Sequence, residues 1–308
     1  MGWLISRLRQ VVESLAGNRP WALRLGGGAI TVVLVVGSGA IGWGLEHLAM
    51  ASRGPIQVIA WLALLIALAS ALASKSLEQG VQAVLDQRDD LPEARRKLGW
   101  IVGRDTADLD RRAILRALAE TASENGVDGL FAPLFWMLVG AGLWAIDPAW
   151  PGPLGLAWAF KAASTLDSML GYRRGRLRWL GTAGARLDDL LTWLPCRLVA
   201  LSLPLAAGRL GETPRLFQQA LAEGAPDPSP NAGVSQAAYA HTCRVQLGGC
   251  NRYGTQVRDK PLLAPGFPPA DRAAVQRMLE LNRRLEWLWL AASALPAAML
   301  SFITKTLS

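Results

Sequence analysis

Carboxylates, amides and arginines gather beside glycines in four clusters at the ends of apolar runs. The clusters are VGRDT at 102–106, the block 120–136 that contains SENGVDG, TLDSMLGY at 165–172 with ARLDDL at 185–190, and SPNAG at 229–233 with the glycine-rich segment 247–254. Carboxylates can bind Mg²⁺ or accept a proton, and arginines can bind phosphate. The clusters therefore predict metal or phosphate chemistry, with helix caps, turns and loop ion pairs as the plainer alternative.

Other catalytic signatures are missing from the sequence. Cys243 and Cys250 have six residues between them, which is not a zinc spacing, and the three cysteines are expected to be apolar fillers or reduced thiols. Neither a G-x-x-x-x-G-K-[ST] loop nor a G-x-S-x-G turn occurs. Phosphate chemistry of the P-loop kind and hydrolysis by a serine elbow are therefore excluded.

The composition predicts a membrane protein. Of the 308 residues, 51% are apolar and only 18% are charged, and the mean hydropathy is +0.23. These values exclude a disordered chain, a coiled coil and a disulfide-stapled domain. The net charge of +8 is mostly arginine, in blocks between apolar runs. Basic loops of a membrane protein explain both the hydropathy and the charge, whereas a nucleic-acid partner explains only the charge.

Apolar runs near the length of a membrane-spanning helix, about 20 residues, set the predicted topology. The predicted spans are 25–45, 54–74, 129–146, 148–166 and 287–304. The run 190–208 carries Arg197 between Pro195 and Pro204, and a central arginine is costly in a lipid-facing helix. This run is therefore predicted to be a re-entrant or interfacial hairpin.

The arginines orient the predicted spans. They are frequent before the first span and in 172–189, and absent from 147–152, so the loops 75–128, 172–189 and 209–286 are predicted to be cytoplasmic. The predicted fold is all-α: a single membrane-embedded domain, 1–308, formed by a polytopic helical bundle with two large helical cytoplasmic loops. The predicted location is the bacterial inner membrane, with the active-site loops in the cytoplasm.

Helices are predicted within the two large polar stretches, and neither stretch shows the alternation of a strand. A helix over 107–125 is predicted to begin through the caps Asp105 and Thr106. Further helices are predicted at 236–247 and 271–286, with a glycine-rich turn at 248–254.

Taken together and in this order, the motifs resemble the CobD/CbiB family, the adenosylcobinamide-phosphate synthases of cobalamin biosynthesis. The likeness covers nearly the whole chain. Where the family usually reads E-N-T-S-D-G, this chain lacks the two hydroxyl residues but keeps Glu124, Asn125 and Asp128. The segment 1–5 looks like the end of the family's H-P-V motif. The usual first helix and most of that motif are therefore expected to be lacking.

The resemblance implies that the carboxylate of (adenosyl)cobyric acid is joined to the amine of aminopropanol or its phosphate. ATP with Mg²⁺ is the expected source of activation. The implied catalytic residues are Asp105, Glu124, Asp128 and Asp167, and the implied metal ligands are Asp188 and Asp189. The implied substrate-binding residues are Arg104, Asn125, Tyr172, Arg173, Arg186, Asn231, Gly248, Gly249, Asn251 and Tyr253.

The expected partners are the corrinoid and amino-alcohol phosphate substrates, the lipid bilayer and other late membrane enzymes of the cobalamin pathway, with no nucleic acid. A membrane sensor of the related AmpE type, without ligase activity, is the alternative. The SPNAG and glycine-rich motifs favour the enzyme. A small transporter is a third hypothesis, but only Lys161 and Arg197 place polar groups inside the apolar runs.

Overall fold

The computed structural model describes residues 1–253 and 256–307, without the side chains of 251–258 and 294–307. It is helical apart from one antiparallel hairpin. The first helices are α1 Gly2–Ala16, α2 Pro20–Ala51, α3 Pro55–Ala71, α4 Ser74–Leu85, α5 Leu91–Leu98, α6 Arg111–Gly126, α7 Ala132–Ile146 and α8 Pro153–Leu170. The others are α9 Leu177–Leu180, α10 Thr182–Ala206, α11 Thr213–Gly224, α12 Ala232–Cys243 and α13 Arg272–Leu307. The hairpin strands are β1 Leu247–Tyr253 and β2 Gln256–Leu263.

Three helical stretches among the described residues are long and apolar enough to cross a membrane. They are Pro20–Ala51, Arg111–Ile146 and Thr182–Ala206, and the pair α3 and α4, bent by 45°, would be a fourth. The predicted spans 25–45 and 129–146 lie within the first two. The helix at the predicted span 148–166 is not among the candidates, and most of 287–304 lies outside the described side chains. The helical membrane character is confirmed, while the sidedness of the loops stays a prediction.

The segment 190–208 is not a hairpin, because α10 continues through Pro195 and Pro204 as one helix. Arg197 does not force the chain to turn, since its guanidinium is bound within the protein. Its Nη1 donates to the side chain of Asn231 at 2.7 Å and its Nη2 to the carbonyl of Pro230 at 2.8 Å. The position of this helix relative to the membrane stays a prediction.

Two local expectations in the polar stretches are also wrong. The predicted helix 107–125 begins at Arg111, because the carboxylate of Asp110, rather than Asp105 or Thr106, accepts the N–H of Ala113 at 2.7 Å. The predicted turn at 248–254 lies largely in strand β1. Its glycines lie where the pairing register of the hairpin shifts, between Leu247 and Gly249, rather than in a turn.

The chain divides into two compact units. Unit 1 comprises Met1–Leu72 and Asp128–Leu194, and unit 2 comprises Ala73–Val127 and Pro195–Ser308. Unit 1 contains α1–α3, α7–α9 and the first part of α10. Unit 2 contains α4–α6, α11–α13, the hairpin and the rest of α10. The single domain predicted from the sequence stays a prediction.

In unit 1, α2 and α8 pack closely because glycines line their contact. A Cβ atom on Gly42 would lie 2.9 Å from the Cα atom of Gly155. One turn further along α2, the fully buried carboxylate of Glu46 accepts N–H groups at the start of α8, from Gly152 at 2.9 Å and from Leu154. A carboxylate at a helix N-terminus satisfies orphan donors and interacts favourably with the helix dipole. These contacts fix α8 against α2.

Two further glycines hold the short helix α9 in place. A Cβ atom on Gly27 would lie 1.9 Å from the carbonyl oxygen of Leu180, and one on Gly181 would lie 1.9 Å from that of Leu170. Any side chain at these positions must therefore push backbone apart. The loop after α8 is held against α2 only because both positions lack a Cβ atom.

Unit 2 is built around α6, most of whose residues between 117 and 126 are buried. The fully buried Tyr239 of α12 donates its hydroxyl hydrogen bond to the side chain of Asn282 in α13. The amide nitrogen of Asn282 in turn donates to the carbonyl of Ala122 at 3.1 Å. This chain of hydrogen bonds joins three helices and removes the cost of burying the polar groups.

We expect Gly27→Ala to destabilise the protein, because the new methyl group meets a backbone carbonyl. Overpacking of this kind costs about 1–3 kcal/mol. Gly28→Ala is the matched control, since a Cβ atom there meets nothing within 4 Å. Thermal unfolding of each purified variant in detergent gives the midpoint temperatures to be compared. Equal midpoints for the two variants would contradict the close approach of α9 to α2.

Candidate functional site

Helix α6 presents a polar stripe with a period of four residues, formed by Arg112, Arg116, Glu120 and Glu124. Residues spaced by four lie on one face of a helix. The exposure of their side chains falls along the stripe, from the arginines at the start of the helix to Glu120, which is only 3% exposed. A buried carboxylate needs partners, and the structure provides them from two distant segments.

The Glu120 carboxylate joins the VGRDT motif to the hairpin. Its Oε2 accepts a hydrogen bond from Arg104, and its Oε1 accepts the N–H of Gly248 at 3.2 Å. The Nε atom of Arg116 lies 3.9 Å from the same Oε1. The carboxylate therefore has a guanidinium and a backbone donor, which together offset the cost of burying its charge.

The shift in pairing register beside Gly248 explains why the hairpin can reach Glu120. Gly248 and Gly249 have φ values of 83° and 88°, which only glycine adopts readily. This conformation turns the Gly248 N–H toward Glu120. Two residues further along the strand, the carbonyl of Cys250 accepts a hydrogen bond from Nη2 of Arg116 at 2.7 Å. The β1 backbone is thus bound to α6 on both sides of Gly249.

A groove of about 400 Å³ runs beside this contact. Its lining includes Asp110, Arg112, Arg116 and Leu262, so it offers two guanidiniums, one carboxylate and apolar surface. Such a lining suits a ligand with both carboxylate or amide groups and an apolar body.

A second cluster of polar and charged side chains surrounds Glu124, one turn further along α6. Its Oε2 accepts a hydrogen bond from the side chain of Gln236 at 2.7 Å. Lys260 of β2 forms a 3.0 Å ion pair with Asp227, whose Oδ1 also accepts the N–H of Ser229 at 3.0 Å. Burial disfavours the charged lysine, but the neighbouring Glu124 and Asp227 carboxylates outweigh it and raise the pKa of Lys260. Lys260 is therefore an ammonium ion at neutral pH.

The SPNAG motif is held from α10. Asn231 is buried, its side-chain oxygen accepts from Arg197, and its carbonyl accepts from the Cys196 thiol at 3.3 Å. The predicted substrate-binding residue Asn231 thus contacts another part of the protein, and it fixes the loop that carries Asp227 and Ser229.

Unit 1 brings together the predicted metal ligands and one predicted catalytic acid. The Asp188 carboxylate of α10 interacts electrostatically with Asp189 and with Asp167 of α8, and its Oδ1 is buried without a hydrogen-bond donor. A buried oxygen with no donor is the kind of atom that a bound cation would satisfy. Even so, no three acidic, histidine or cysteine side chains among the described residues are grouped closely enough to hold a metal by themselves.

Three predicted substrate-binding residues line one cavity of unit 1, of about 340 Å³: Tyr172, Arg173 and Arg186. They follow α8 or lie at the start of α10, so the backbone contacts of Gly27 and Gly181 position them.

The other predicted residues have more varied positions. The carboxylate of Asp105 accepts the N–H of Ala107 at 3.0 Å in an exposed turn, and Asn125 is exposed in the last turn of α6. Asp128 lies in a π-helical turn, Val127–Phe131, that links α6 to α7. π-helical turns within helices are frequent at functional sites. The side chains of Asn251 and Tyr253 lie outside the described residues.

The site contains residues that the motifs did not predict. Glu120 and Arg116 are recognisable in the sequence as members of the polar stripe, but not as partners of Gly248. Asp227 and Lys260 have no signal in a single sequence, because their pairing joins a loop to a strand about thirty residues later.

We expect Glu120→Ala to destabilise the protein strongly, because Arg104 and the Gly248 N–H lose their buried acceptor. Breaking one partner of a buried ion pair costs about 3–5 kcal/mol. The double variant Arg104→Met with Glu120→Leu should recover part of the loss, since neither charge remains. The control is Glu93→Ala, which removes an exposed ion pair with Arg96 and should change unfolding little. Unfolding midpoints that fall equally for Glu120→Ala and Glu93→Ala would contradict the buried pair.

Comparison with known proteins connects these features to one family. The family described as CobD/Cbib protein matches residues 1–282. A cobalamin biosynthesis protein CobD from Synechocystis is 41% identical over 90% of this chain and 77% of its own length. CobD from Klebsiella pneumoniae is 36% identical, over 95% of this chain and 86% of its own.

A third relative, CbiB from Salmonella typhimurium, is 35% identical over 98% of this chain and 88% of its own length. No solved structure matches the chain. The match over residues 1–282 contains all four sequence clusters, and it contains the residues around Glu120 and Glu124. The chain therefore belongs to the CobD/CbiB family of cobalamin biosynthesis proteins.

Proposed function

We propose that the protein is an adenosylcobinamide-phosphate synthase, which joins the carboxylate of (adenosyl)cobyric acid to the amine of aminopropanol or its phosphate. Membership of the CobD/CbiB family, with the match over residues 1–282, is the observation that supports this proposal most directly. The same membership assigns the chain to cobalamin biosynthesis. The membrane candidates and arginine-rich loops agree with a multi-pass protein of the bacterial inner membrane whose polar loops face the cytoplasm.

Amide formation from a free carboxylate needs activation, and we assign this role to ATP. A carboxylate oxygen of the corrinoid attacks the γ-phosphorus and ADP leaves. The amine nitrogen then attacks the acyl carbon, phosphate leaves, and the amine loses a proton to a base. Two of these steps place negative charge on phosphate oxygens, where guanidinium groups stabilise it.

Mg²⁺ is the ion proposed to accompany the nucleotide. Asp188 and Asp189 would hold it, and the buried Asp188 Oδ1 that lacks a donor supports this choice. Two carboxylates suffice, since Mg²⁺ commonly binds one or two together with phosphate oxygens and water. The ion would neutralise phosphate charge.

Glu124 is the proposed base among the predicted catalytic carboxylates. It is half-buried, its position is fixed by the hydrogen bond from Gln236, and the Lys260 ammonium lies near enough to affect its charge. Asp105, in contrast, is exposed and occupied in a turn. Asp128 and Asp167 stay predictions. The groove with Arg112 and Arg116 is the proposed contact for the carboxylate and amide groups of the corrinoid.

We expect Glu124→Gln to lower cobinamide formation by about 100-fold or more, because a general base contributes at least that factor. The glutamine keeps the size and hydrogen-bonding ability of the side chain but cannot accept the proton. The measurement is mass spectrometry of corrinoids in membranes that contain the full chain, supported by growth of a cobinamide-requiring strain.

Glu78→Gln is the matched control, since Glu78 is exposed on α4. It should retain full product formation. Near-normal product formation by Glu124→Gln, at equal amounts of folded protein, would remove Glu124 as the base. Absence of cobinamide with the unsubstituted chain would contradict the proposed reaction itself.

A further inference from the structure

Four arginines line the cavity of unit 1, and they come from four different local structures. One lies near the start of α2, one follows α8, one is in α9 and one begins α10: Arg24, Arg173, Arg178 and Arg186. The fold therefore brings together guanidiniums that are as far apart as 162 residues in sequence. The close approach of Gly27 to Leu180 places Arg24 beside Arg178.

Among the described residues, these guanidiniums are not paired with acidic side chains. Within the described part of the chain, none of the four forms an ion pair with a carboxylate, although Asp189 lies on the same cavity wall. Two of them instead contact one indole: the guanidinium carbons of Arg24 and Arg178 lie 4.4 and 4.9 Å from the Trp179 ring centroid. Stacking on Trp179 orients both groups while leaving their N–H donors available.

We propose that this cavity is a binding site for a phosphate group. Gathering several like charges is unfavourable unless an anion compensates them, and fixed guanidinium N–H donors match the oxygens of a phosphate. The volume of about 340 Å³ accommodates a phosphate with a small substituent.

Two sources of phosphate share this chemistry: a soluble phosphate ester and the headgroup of an anionic phospholipid. The second is relevant because Arg24 lies in a helix that is long and apolar enough to span a membrane. The site does not depend on the proposed ligase reaction, and its test is a binding measurement rather than an activity.

The test uses the full chain purified in a neutral detergent, with inorganic phosphate as the probe in isothermal titration. Saturable binding that weakens as sodium chloride is added is expected. Arg173→Gln with Arg186→Gln should weaken it by about tenfold or more, because each lost guanidinium removes charge-assisted hydrogen bonds. The control, Arg53→Gln with Arg88→Gln, removes the same charge from exposed arginines outside the cavity and should bind phosphate normally.

A second arm distinguishes the sources. The chain is placed in nanodiscs of phosphatidylcholine alone or with phosphatidylglycerol, and phosphate binding is measured again. Loss of phosphate binding with phosphatidylglycerol assigns the cavity to lipid headgroups, and unchanged binding assigns it to a soluble phosphate. In either case, phosphate binding in detergent must weaken when the cavity arginines are substituted.

The proposal is overturned if the detergent-purified chain binds no phosphate, or if the cavity variant and the control bind it equally well. If the double variant unfolds, Arg173→Gln alone replaces it, since Arg173 is exposed in the loop after α8. Failure of phosphate binding would leave the ligase reaction untouched, because cobinamide formation is measured separately.

Discussion

The buried carboxylate of Glu120 determines how unit 2 is assembled. It lies on the largely buried second half of α6. Its two oxygens bind segments that are distant in sequence, Arg104 before the helix and Gly248 in the hairpin. A charge in such a position is unfavourable unless both partners are present. The hairpin therefore has to carry glycine where its backbone turns an N–H toward Glu120, and the loop before α6 has to supply an arginine. One electrostatic requirement thus accounts for two motifs, VGRDT and the glycine-rich segment.

The same helix carries a second acid whose surroundings differ. Glu124 is bound by a neutral amide and lies near an ammonium group, whereas Glu120 is bound by a guanidinium and a backbone donor. Glu120 has its charge compensated permanently, so it is suited to holding structure. Glu124 is held less tightly and remains half-buried, so it is suited to exchanging a proton. Four residues apart on one helix, the two glutamates have environments that support different roles.

Much of this could be predicted from the sequence, because the signals were local. Apolar runs predicted α2 and α7, and the motif clusters identified Arg104, Glu124 and the aspartates of α8 and α10. The remaining features depend on contacts between distant residues. The glycines at 248–249 suggested a turn, since a single sequence does not reveal that they oppose β2. Arg197 suggested a break in α10, because the sequence does not show that Asn231, 34 residues away, is its partner. The pairing of Lys260 with Asp227 had no local signal.

The most direct test of the account is the reaction of the purified full chain, reconstituted in lipid, with cobyric acid, aminopropanol phosphate, ATP and Mg²⁺. Mass spectrometry of the corrinoid is the readout. The expected product has the mass of acid plus amine less one water, and it forms only when the nucleotide is present. Recovery of unchanged cobyric acid from folded protein, with either aminopropanol or its phosphate as the amine, would contradict it.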